Sequence, residues 1–221
     1  MYKKLFKKIR YKRFIDNFPD LRFGSILVAL FCTIFIIMAT FTQIPLNETI
    51  QINSFSFTSP LNALIELTKL HSYIPQIPVI LFLGALLGPR VGLISILSYL
   101  VCGLLGFPIF ASGGGITYYS QQGFGYILGY FLGVFIVGNL LTKEITSLKI
   151  IRAAIIGSLA IHLTGIIYIS VLMTLQHYSL YTIFGWISSL SGSQLPFDII
   201  VSIVAISLAR PLRAILWVAL D

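Results

Sequence analysis

Asp198 follows Gln-Leu-Pro-Phe and opens a run that is otherwise apolar for about ten residues. A carboxylate in such a run is costly unless it is paired or faces a ligand. Its chemistry is to accept hydrogen bonds from N–H donors, or else to favour a helix N-terminus. Gln76 stands between two prolines in "IPQIP". Its amide both donates and accepts, toward a ligand or toward the proline-broken backbone. Gly113, Gly114 and Gly115 allow backbone conformations closed to other residues and close approach by a ligand. Their N–H groups can receive an anion, or the triplet is a re-entrant loop. Tyr99, Tyr118, Tyr119, Gln121, Gln122 and the cation Lys69 complete the set. Glycine, aromatic and amide groups with almost no charge suit a small, partly apolar ligand. His162 lies alone in "IHLTGIIY", where it bonds a neighbouring helix or relays protons.

Catalytic motifs are missing from the sequence. It has no HExxH, GxSxG, Walker A or CxxC pattern. Glu48, Glu66 and Asp198 show no pairing distance in sequence. No metal, cofactor or ATP hydrolysis by this chain is expected.

The elements that must hold these residues are membrane helices. Of the 221 residues, 57% are hydrophobic and 10% charged, against about 25% charged in soluble chains. Long continuous apolar runs, not alternating ones, favour spanning helices over a barrel. Six spans in one integral domain are expected: Gly24–Thr42, Ile74–Leu87, Val91–Gly106, Gly123–Leu141, Ile151–Leu175 and Pro196–Leu208. The second and last are short for a hydrocarbon layer of about 30 Å, so their ends are expected beside a cavity. Cys32 and Cys102 both fall inside spans and imply packing rather than a disulfide. The first span is too long for a signal-peptide core and reads as retained.

Charge orients the bundle. The net charge is +8, but it is clustered beside the membrane rather than spread as a nucleic-acid footprint. Residues 1–23 form a basic segment with Lys3, Lys4, Lys7, Lys8, Arg10, Lys12, Arg13 and Arg22. With both termini in the cytoplasm, 14 of the 15 Lys and Arg residues fall on the inner side, as the positive-inside rule requires. Arg90, in the turn "GPR" between spans two and three, is then a topology anchor. Three longer connections face outward. The first holds "SPLNALIELTKL", with Ser59 as N-cap, Pro60 at the first helical position and an amphipathic pattern. The second carries the glycine triplet, and the third is the serine-rich segment 176–195. Along span one, Ser25, Ala29 and Thr33 recur every four residues. Such a stripe lets helices approach closely, either inside the bundle or as a groove for a partner.

The stretch "GALLGPRVGLISILSYLVCGLLGFPIF", then "SGGG", "GFGYILGYFLGVFIVG" and "LPFDII" resembles the BioY family. These are the substrate-binding membrane subunits (S components) of energy-coupling-factor (ECF) biotin transporters. The resemblance implies a six-helix bundle in the plasma membrane with an outward pocket for biotin. It also implies an EcfT-like coupling protein, docked on Ser25, Ala29 and Thr33, and two cytoplasmic ABC ATPases. Asp198 matches the aspartate of the family's "PGDLIK", which implies a role at biotin's polar head. Gln76 falls where the family carries glutamine. Phe197 and Val201 depart from that motif's glycine and lysine. An S component for another vitamin, a lipid-modifying enzyme using His162 or Asp198, and a ligand-free structural subunit are the rival readings.

Overall fold

A computed structural model describes residues 23–45, 72–141 and 145–220. The basic N-terminal segment, Ser59, Pro60 and Lys69 lie outside the described residues. Helix α1 spans Phe23–Phe41. A two-residue antiparallel pair follows, β1 (Ile44–Pro45) with β2 (Ser72–Tyr73). Helix α2 spans Gln76–Leu104, α3 Phe124–Leu140, α4 Ser147–Leu175, α5 Leu180–Ile187 and α6 Leu195–Leu220. A 3₁₀ turn at Ile116–Ser120 precedes α3, and a π turn at Ser188–Gly192 joins α5 to α6.

Helix α2 is a hairpin. Gly88 sits at φ 76° and ψ 177°, a left-handed conformation that glycine adopts at no steric cost. Pro89 follows and starts the next arm. A Cβ placed on Gly92 would lie 3.8 Å from Gly84 Cα and 3.7 Å from the Leu83 carbonyl. Residues 76–87 and 89–104 therefore run side by side. The "GPR" turn thus falls where its glycine and proline place it, with Arg90 exposed at its edge.

The bundle is built by close backbone approach. A Cβ on Gly129 would lie 2.9 Å from Ile161 Cα, so α3 and α4 touch through their backbones there. Buried Leu81, Ile96, Val134, Ile161 and Ile206 fill the centre. Phe31, Met38, Leu105 and Ile167 remain more than half exposed, an apolar rim suited to lipid rather than water. Among the described residues, four runs are long and apolar enough to cross a membrane by length and composition, Gly24–Phe41, Gln76–Leu104, Ser147–Leu175 and Leu180–Arg213, the second only when both arms of the hairpin are counted, and Phe124–Leu140 is a shorter apolar helix.

Two sequence expectations are corrected, and the stripe on α1 takes one of its two readings. Segment 176–195 is mostly helical, capped by Ser179, whose side chain accepts from the Thr182 N–H. The last helix is long, continuing past Leu208 and through Pro211. The Ser25, Ala29 and Thr33 stripe is buried within the bundle. Thr33 Oγ1 lies 3.0 Å from the Ala29 carbonyl and 3.2 Å from that of Ser95 in α2. These small residues seat α1 on α2, so the stripe is not an open docking groove.

Candidate functional site

Residues 41, 76, 104, 124, 175 and 195 mark the loop end of the bundle, and a cavity of about 120 Å³ opens there. Its walls are Ile74, Gln76, Ile77, Tyr99, Ala111, Tyr118, Gly123, Tyr126, Ile127, Tyr130, Leu190 and Gln194. No charged residue is among them.

One wall is a neutral cluster. Gln76 Nε2 donates to Thr40 Oγ1 at 2.8 Å and to Tyr99 OH at 3.0 Å. Thr40 Oγ1 lies 3.1 Å from Tyr99 OH and donates to the Ile36 carbonyl at 2.9 Å. Tyr99 OH also donates to the Ile109 carbonyl at 3.3 Å. Both amide N–H groups of Gln76 are thereby committed. What Gln76 offers the cavity is Oε1, an acceptor. Phe110 packs on Tyr99 and on Tyr118, with ring centroids 5.2 Å and 4.4 Å apart, and holds both phenols on this wall.

The opposite wall begins a chain of polar contacts. Tyr126 OH lies 2.6 Å from Ser191 Oγ. Ser191 Oγ lies 2.9 Å from His162 Nδ1. His162 Nε2 lies 3.0 Å from Asp198 Oδ2. Tyr73 OH donates to Asp198 Oδ1 at 2.9 Å. The His162 and Asp198 side chains are 2% and 1% exposed. Burial, reinforced by the Asp198 carboxylate, pushes the Tyr73 phenol up, so it remains a donor. The chain links α3, the π turn, α4, α6 and β2.

The sequence-chosen residues divide. Gln76, Tyr99 and Tyr118 meet at the cavity. Asp198 lies behind it, with each oxygen engaged by a protein donor, where the sequence anticipated a carboxylate awaiting a ligand. His162 is that carboxylate's partner. The glycine triplet also turns inward: Gly113 N–H donates to the Phe110 carbonyl at 3.1 Å and Gly115 N–H to that of Gly103 at 2.8 Å. Two of its three amides are thus spent on the loop. Gly114 faces the backbone, since a Cβ there would meet the Phe107 carbonyl at 2.1 Å. Tyr119 is 57% exposed, and its carbonyl accepts from Tyr168 OH. Tyr119, Gln121 and Gln122 do not line the cavity. Tyr126, Tyr130 and Gln194 were not selected from the sequence. Two tyrosines four apart in an apolar helix were the available signal, because each phenol needs a partner there.

A helical bundle with membrane-length spans and an uncharged cavity at one end defines an integral membrane protein. A crystal structure of the S component for biotin from an ECF-type ABC transporter superposes with a TM-score of 0.60, covering 86% of this chain and 91% of that one at 22% identity. The sequence pattern of the BioY family matches residues 19–217. This chain belongs to the BioY family. A probable biotin transporter BioY from Lysinibacillus sphaericus is 39% identical over 98 residues, 43% of this chain and 50% of the relative. A biotin transporter BioY from Rhizobium etli is 26% identical over 143 residues, 59% of this chain and 72% of the relative. The chain thus spans about half the length of the first of these relatives that it matches.

Proposed function

We propose that this chain is the biotin-binding membrane subunit of an ECF-type uptake system. The observation that carries the reading is the acceptor left on Gln76. With both N–H groups bound to Thr40 and Tyr99, Oε1 is left as an acceptor for a ligand donor in an uncharged, aromatic cavity. Biotin's cyclic urea supplies N–H donors beside a carbonyl, on an apolar bicycle that matches Ile74, Ile77, Ile127 and Leu190. Family membership and the names of the relatives point to the same ligand. Asp198 acts from behind the wall by holding His162, and retains lone pairs for a ligand that reaches it.

In this reading α1, residues 76–87, residues 89–104, α3, α4 and α6 are six spans of the plasma membrane. Both termini and Arg90 face the cytoplasm, and the cavity opens outward. The chain binds and releases biotin, while an EcfT-like protein and two ABC ATPases supply the energy. Isothermal titration of the purified protein with biotin tests the core of it. One-to-one binding, not competed by unrelated vitamins, is expected. Absence of binding in folded protein would remove the assignment.

A further inference from the structure

We propose that the Tyr130 hydroxyl donates to a carbonyl oxygen of the ligand beside the Gln76 acceptor, so that the cavity reads the N–H and C=O edge of a cyclic urea or lactam. The inference rests on the site proposed above and adds a residue that selects the ligand's chemistry.

Proton counting fixes the Gln76 side of the pair. Thr40 and Tyr99 each have one hydroxyl proton. Thr40 gives its proton to the Ile36 carbonyl at 2.9 Å, and Tyr99 gives its own to that of Ile109 at 3.3 Å. Both oxygens then only accept, and Gln76 Nε2 donates to them at 2.8 Å and 3.0 Å. The amide is thus held one way round, with Oε1 as the acceptor that remains for the cavity.

Tyr130 supplies the complement. It lines the same cavity and is 4% exposed. Tyr99 and Tyr126 bond protein groups there, whereas Tyr130 OH makes no hydrogen bond among the described residues. Unlike the sealed hydroxyls of Ser158 and Ser202, it remains accessible. It interacts electrostatically with the Tyr99, Tyr118 and Tyr126 hydroxyls and with Asp198, most strongly with Tyr99, the phenol bonded to Gln76. Asp198 is no outlet for its proton, because Tyr73 and His162 engage both carboxyl oxygens. Apolar packing needs only the ring, and a buried hydroxyl without an acceptor is costly. The occupant of the cavity therefore supplies the acceptor. A cyclic urea or lactam is locked in the cis amide form, with N–H and C=O on one edge. Its N–H meets Gln76 Oε1 and its oxygen meets Tyr130. Biotin's urea presents such an edge on each side of its carbonyl. A ketone lacks the N–H, and a simple amine lacks the carbonyl.

Tyr130→Phe removes the proton and keeps the ring. Biotin affinity is expected to fall about threefold to tenfold. The unfolding midpoint of the ligand-free protein is expected not to fall, because no internal partner is lost. The same variant is titrated with 2-thiobiotin, whose sulfur is a poorer acceptor than oxygen. There the substitution should change affinity by less than about twofold. An unchanged biotin affinity in Tyr130→Phe, an equal loss for both ligands, or a lowered unfolding midpoint overturns the proposal. If biotin does not bind at all, ligand-observed NMR carries the test. It compares 2-pyrrolidinone, which has the N–H and C=O edge, with cyclopentanone, which has the carbonyl alone. Preference for the lactam, weakened by Tyr130→Phe, supports the assignment and removes the biotin reading alone. No such preference, or a preference that Tyr130→Phe leaves intact, overturns the proposal as well.

Discussion

The two walls of the cavity solve the same problem in different ways. Gln76, Thr40 and Tyr99 form a neutral cluster that ends on fixed backbone carbonyls at Ile36 and Ile109. Nothing in it ionises near neutrality, so the acceptor it offers is constant. Tyr126 instead begins a chain that ends on a buried carboxylate and imidazole. The difference governs fragility. Thr40 and Tyr99 keep backbone acceptors when a partner is lost, while Asp198 and His162 are buried with side-chain partners alone.

The sharpest break of the comparison is Asp198→Ala. It leaves His162 buried opposite an apolar methyl, and breaking a buried pair this way costs about 3–5 kcal/mol. Thermal unfolding in detergent should show the largest loss of any substitution at either wall. Gln76→Ala comes next. It removes the acceptor facing the ligand, while Thr40 and Tyr99 keep each other and their backbone acceptors. Biotin affinity should fall about tenfold or more while the fold persists, and calorimetry checks both. Thr40→Val removes one neutral partner and keeps the shape. About 1 kcal/mol of stability is expected to go, with affinity changed less than by Gln76→Ala. Smallest of all is Tyr119→Ala. Its side chain is largely exposed and lines no cavity, so affinity should stay within about twofold. A large loss there would move the binding site to the glycine-rich loop.

Local chemistry was legible in the sequence, and long-range pairing was not. Gly88 and Pro89 announce a turn by their own backbone preferences, and the structure turns there. Gln76 and Tyr99 stand out because an amide and a phenol in apolar runs need partners. Which partners they find is decided by packing. Asp198 and His162 are 36 residues apart, and no spacing rule joins them. Ser191 belongs to a run whose serine content suggested a loop. Serines in helical turns hide that polarity by bonding backward, as Ser193 Oγ does to the Ser189 carbonyl at 2.9 Å. The stripe on α1 was legible as a close-packing face, but its neighbour was not. Only the tertiary fold supplies Ser95 opposite Thr33.

The hairpin at Gly88 has a consequence for the depth of the cavity. Residues 76–87 rise about 18 Å at ~1.5 Å per residue, well short of a hydrocarbon layer about 30 Å deep. None of these residues is exposed, so the missing length is taken up inside the protein rather than by lipid. Under the proposed topology, with the turn at the inner surface, Gln76 stops roughly 12 Å short of the outer one. The floor on which a ligand would rest is therefore sunk within the depth of the membrane by the shortness of a single helical arm.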